Sequence, residues 1–84
     1  MIMSEEGRAE KRAASREKWS NVFSYHAPQD DQPQKYEALR AKALELALLI
    51  DESVPDCADK SAAIRQLREC IMTANAGIAL KGAV

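Results

Sequence analysis

"PQKYEALRAKALELALLID", residues 33–51, is the stretch on which the fold turns. Tyr36, Leu39, Ala43, Leu46, Ala47 and Ile50 recur at steps of three and four, the spacing that lines apolar side chains along one face of an α-helix. Pro33 suits the first helical turn, where its missing N–H costs nothing, and Asp31 or Gln32 can precede it. Leu44, Leu48 and Leu49 fall outside that stripe. A helix that is apolar on more than one face needs more than one neighbour.

On the C-terminal side, "DESVPDCAD", residues 51–59, interrupts the pattern at Pro55. Asp56 is placed to cap the next helix, with Asp59 in its acidic first turn. Ala63, Ile64, Leu67, Cys70 or Ile71, Ala74 and Ile78 then form a second helical stripe that ends near Leu80 to Gly82, where glycine commonly stops a helix. Two long helices joined by a short turn most simply form an antiparallel hairpin.

On the N-terminal side, "SYHAPQDDQPQ", residues 24–34, has two prolines, two aspartates and no periodicity, which makes it a connector. Before it, "SEEGRAEKRAASREKWSNV" offers Ser4 as an N-cap and Glu5 and Glu6 at the helix start. Its apolar positions are mostly alanine until Trp19, Val22 and Phe23, so a packed helix and a solvated charged leader are both open. The chain reads as all-α, with a charged helical leader at 1–22 and a hairpin domain at 23–84. Within that domain the connector is 23–32, the first helix 33–51, the turn 52–56 and the second helix 57–81.

A chain of 84 residues makes at most one domain and buries a small share of its surface. Two paired helices shield only one stripe each, which leaves the extra leucines and the small-residue run "TANAGIAL", residues 73–80, in need of partners. A compact homo-oligomer of hairpins is therefore expected. The alternative is a three-helix bundle in which the leader covers the surplus, and the leader has few large apolar residues to do so.

Composition narrows the function. The formal charge of −1, with five basic and four acidic side chains in residues 1–22 and seven and nine thereafter, argues against duplex nucleic acid as the main partner. A few well-placed arginines or lysines still suffice for a small anion. Cys57 and Cys70, with no apolar signal segment ahead of them and no histidine nearby, read as reduced packing residues rather than a zinc site. The apolar run from Ala47 to Ile50 is far too short for a bilayer, which needs ~20 residues.

Catalysis finds little support. His26 has no serine or cysteine in a nucleophile arrangement beside it, and Asp30 and Asp31 lie in a proline-bounded loop where carboxylates usually form turns. The three glycines are scattered, so no phosphate-cradling loop is present. The aromatic residues say more: Trp19, Phe23, Tyr25 and Tyr36 all fall in residues 19–36, together with the only histidine. In an extended connector Phe23 and Tyr25 share a side, where they can stack on a flat ligand or simply pin the connector across the hairpin, with Tyr36 as ordinary core. Lys35, Arg40 and Lys42 lie on or near the first helix, whose N-terminus has spare N–H donors for an anion. On the second helix Arg65 and Arg68 read as solvated or paired with Glu69 and Asp59. Asn75 needs a hydrogen-bond partner among small apolar residues, and Lys81 can cap the helix end or face an anion.

Four pieces of this sequence together resemble the hairpin family of phage anti-CBASS proteins (anti-CBASS protein two), whose hairpin looks related to one in phage anti-Thoeris sponges. They are "FSYHAP" with the eleven-residue step from Tyr25 to Tyr36, "KYEALRAKALELALLI", "SVPDCADKSAAIRQL" and "IMTANAGIA". The resemblance covers residues 23 to about 81 and implies a non-enzymatic sponge. Such a protein is a compact helical hexamer that holds cyclic dinucleotides, and at separate sites cyclic trinucleotides, in the cytoplasm of the infected bacterial host. By the same resemblance Tyr25 would stack on a base of the dinucleotide, His26 would belong to the same connector, and Arg40 or Lys42 would meet the phosphates. Lys81, with Asn75 close by, would be the candidate for the trinucleotide site. No cofactor or metal is implied. The long charged leader and Cys57, in place of a serine or threonine cap, depart from the family pattern. The rival reading is a small helical module whose surplus apolar face docks a host or phage protein.

Overall fold

The computed structural model describes residues 4–83, and the described residues contain three α-helices and no strand. Residues 1–3 of the leader and Val84 of the hairpin domain lie outside them. α1 is Glu5–Val22, α2 is Gln32–Ser53 and α3 is Ala58–Ala79. Ser4 caps α1, its hydroxyl accepting the Gly7 N–H at 3.1 Å, with Glu5 and Glu6 in the first turn where the helix dipole favours acids.

α2 packs against α3, and α1 packs against neither. The stripe of α2 that reads as apolar is half-buried at Tyr36, Leu39, Ala43, Ala47 and Ile50, facing Ala63, Ile64, Leu67, Ile71, Ala74 and Ile78 of α3. Leu46 departs from the expected stripe and is exposed, as are Leu44, Leu48, Leu49 and Met72. The alternative in which the leader covers these leucines does not occur within the protomer. Cys57 and Cys70 are also exposed, not packed as their residue type suggested. The protomer is long and thin, 59 × 35 × 17 Å, and no apolar side chain among the described residues is fully buried. Two layers of helix are too few to enclose one.

Polar contacts tie both ends of the helix pair. At one end the Gln32 side-chain amide donates to the Ile78 carbonyl at 3.0 Å and accepts the Gln29 N–H at 2.9 Å. Gln32, 8% exposed, is the single buried residue among those described, and both ends of its amide are satisfied. At the other end Lys60, its side chain 13% exposed, reaches the Asp51 carboxylate at 2.9 Å, the Asp51 carbonyl at 2.8 Å and the Asp56 carboxylate at 2.9 Å. Asp56 therefore does not cap α3. Cys57 holds the N-cap position without a side-chain bond, and the Asp56 carboxylate is taken instead by the ammonium four residues on.

The hydrogen bond to Lys60, and then its charge, hold the Asp56 carboxyl below the usual range. The hydrogen bonds to Asp56 and Asp51 hold the Lys60 ammonium above its ordinary value. Asp56 thus contributes stability above its unfolded pKa and loses it as pH falls through the lower folded value. Lys60 contributes below its unfolded pKa and loses it as pH rises through the higher folded value. Replacing Lys60 by methionine should lower the melting temperature only slightly near neutrality, since two partners on the surface are solvated. In circular-dichroism melts the difference from wild type should vanish at both pH extremes; a constant difference across pH would assign the effect to packing.

Candidate ligand cleft at the end of the helix pair

The segment between α1 and α2 folds back on the helix ends. Phe23 caps α1 through its N–H to the Trp19 carbonyl, and the Ser24 hydroxyl donates to the Ser20 carbonyl. The His26 Nε2 lies 2.7 Å from the Asn21 carbonyl. A carbonyl can only accept, so Nε2 carries the proton and donates to it. Asp30 adopts a left-handed conformation, φ 51°, which turns the chain into α2.

The far end of α3 turns back in the same way. The N–H of Leu80 bonds the Ala76 carbonyl and that of Gly82 bonds the Gly77 carbonyl, with Lys81 and Gly82 both left-handed at φ 53° and 75°. The reversal swings the Lys81 side chain to the connector, where its ammonium donates to the Gln29 side-chain carbonyl at 3.1 Å.

Between these two turns lies a cleft of about 360 Å³, lined among others by Asn21, Tyr25, His26, Gln29, Gln32 and Lys81. Tyr25 is 87% exposed, so its ring is no pin across the helix pair and both its faces are available. Gln29 and Gln32 are occupied in holding the cleft's shape. The groups left facing it are a flat phenol, the second nitrogen of an imidazole, an ammonium with hydrogens to spare and the Asn21 amide. That set suits a planar heterocycle attached to an anion.

The candidate residues from the sequence are divided by the structure. Tyr25 and His26 share the cleft with Lys81, for which the family resemblance implies a separate site. Arg40 lies elsewhere, on an apolar groove of about 330 Å³ between α2 and α3 that it borders with Arg68, Leu44, Ile64 and Met72. Among the described residues neither Arg65 nor Arg68 pairs with Glu69 or Asp59. Lys42 pairs with Glu45 at 3.3 Å in solvent and lines neither hollow. The Asn75 side-chain oxygen is buried with no donor, so the partner its position requires is not met within the protomer. Lys35, whose charge the sequence brought near the ligand, is paired with Asp31 at 3.2 Å. Asn21, Gln29 and Gln32 escaped sequence reasoning, because only the two chain reversals bring them to one place.

No curated protein and no solved structure matches the chain. A family model does: the one described as Acb2/Tad1, hairpin domain, matches residues 19–79. That span begins at Trp19, holds the connector, both packed helices and all but the last turn of the cleft, and accounts for most of the chain, which belongs to the Acb2/Tad1 hairpin-domain family.

Proposed function

We propose that the protein is a phage sponge that sequesters cyclic dinucleotides, and at a second site cyclic trinucleotides, without cleaving them, in the cytoplasm of the infected host. The observation that carries this reading is the cleft in which an exposed Tyr25 ring stands beside the Lys81 ammonium, in a chain of the Acb2/Tad1 hairpin family. Ligand pockets commonly span ~300–1,000 Å³, so a cleft at the low end of that range accommodates about one nucleotide unit. A cyclic dinucleotide has two such units. Two clefts facing each other across a seam between α2–α3 hairpins would take one each, and Arg40 or Lys42 of a neighbouring copy would supply the cation their own protomer places elsewhere. A hexamer of hairpins provides such seams and gives Asn75 a neighbour, and Asn75 is the residue left for the trinucleotide once Lys81 serves the dinucleotide cleft.

A sponge releases what it holds. Cyclic di- and trinucleotides should therefore raise the melting temperature by mass action, about 2.7 kcal/mol of stabilisation at a hundredfold excess over Kd. Chromatography of the heat-denatured complex should return the intact cyclic ligand. Linear product would identify a phosphodiesterase, and no thermal shift with any member of the panel would favour the rival module that docks a protein through its exposed leucines.

A further inference from the structure

α1 sorts its charges by face. Arg8, Arg12 and Arg16 stand four residues apart, and Trp19 and Phe23 continue the same row at steps of three and four. Glu5, three residues before Arg8, heads the same row, while Lys11 and Lys18 lie round one flank of the helix and Glu6, Glu10 and Glu17 round the other flank and the back. Trp19 is 48% exposed and Phe23 85%, and the Lys18 ammonium lies 4.8 Å from the centre of the Trp19 ring. Among the described residues Lys11, Arg12 and Arg16 pair with no carboxylate, and no other helix covers α1. Most of the row lies ahead of residue 19, where the family match begins.

We infer that this face of α1 binds linear single-stranded nucleic acid. At ~1.5 Å rise per residue Arg12 and Arg16 stand ~6 Å apart, so the row presents two unpaired guanidiniums followed by two rings over roughly 16 Å. Guanidinium groups pair with phosphates and also stack on bases. An aromatic ring stacks on an unpaired base whatever the base is. A duplex keeps its bases out of reach of those rings. A membrane surface fits worse, because an interfacial helix buries a continuous apolar face, whereas here two rings follow three arginines and only alanines and Val22 make up the rest of the apolar content. The acids round the other flank and the back do not cancel the attraction: a helix is ~10–12 Å across, and charges are screened over ~8 Å at physiological salt. The strand and the cyclic ligand use different residues, so this inference stands apart from the sponge reading.

The test titrates the full-length protein into fluorescently labelled oligouridylate and oligothymidylate of about 12 nucleotides, reading anisotropy together with the emission of Trp19, the only tryptophan. Saturable binding of either strand, with Trp19 quenched and affinity falling as salt rises, is the expected result. Arg12→Glu with Arg16→Glu should weaken binding at least ~10-fold, and Phe23→Ala about 5-fold or more. All three side chains are exposed, so the fold is retained, as circular dichroism will show. The inference is overturned if neither strand binds, if the double variant binds as well as wild type, if a labelled duplex binds equally well, or if a cyclic dinucleotide displaces the strand. Sedimentation with phosphatidylserine vesicles in preference to either oligonucleotide would overturn it in favour of a lipid surface.

Discussion

Truncating Tyr25 to alanine should cost the protein most of its affinity for a cyclic dinucleotide while leaving its assembly untouched. The ring is almost fully exposed and makes no contact that the helix pair depends on, so its removal subtracts from binding and not from folding. Losing one base–aromatic stack costs ~1–3 kcal/mol, which at 1.4 kcal/mol per decade is roughly 5- to 150-fold in Kd. If the two halves of the ligand meet two copies of the ring, both stacks go and the factor is about squared. Tyr25→Phe keeps the stack and should bind nearly as wild type, whereas Lys81→Ala should weaken every anionic ligand of the cleft. Calorimetry on the three variants, with gel filtration as control for assembly, separates the roles. An unchanged Kd for Tyr25→Ala would remove the cleft from the account of function, whatever its shape.

What the sequence made legible, and what it hid, follows from the range of each interaction. The all-helical class and the three helices rest on local terms: a three-and-four spacing, Ser4 before two glutamates, Pro33 at a helix start. Asp56 was misjudged because a cap and an i,i+4 ion pair compete for the same carboxylate, and the winner depends on where Lys60 points once Asp51 is beside it. The Asp56 to Lys60 spacing was visible in the sequence; the third member, nine residues back, was not. The cleft is still less local. Lys81 meets Gln29, and Gln32 meets Ile78, only because α3 returns to the start of α2 and then reverses again through two left-handed residues. The family resemblance implies Tyr25 with Arg40 or Lys42 at one site and Lys81 at another, whereas within one chain Lys81 shares the cleft with Tyr25 and Arg40 borders a different hollow.

The surplus leucines carry the largest expected effect on stability. Leu44, Leu48, Leu49 and Met72 are each more than half exposed, at 60%, 52%, 57% and 61%, and no apolar residue among those described is fully buried to compensate. Burying a leucine contributes ~1.5–3 kcal/mol, so covering these side chains in an assembly supplies hydrophobic stabilisation that the isolated protomer lacks. Folding and association should then be one event, with a melting temperature that rises with protein concentration. Leu44→Lys with Leu48→Lys removes two such burials per copy and places two ammonium groups where a seam would have to desolvate them. Gel filtration should show the assembly lost, and the dissociated chain should lose its cooperative melt along with it, taking ligand binding down even though Tyr25 is intact. Two results would contradict this: a wild-type melting temperature independent of concentration, or a double variant that is monomeric and melts as sharply as wild type. Either would mean that α2 and α3 hold together on half-buried contacts alone, and that the exposed leucines wait for a different protein instead of another copy of this one.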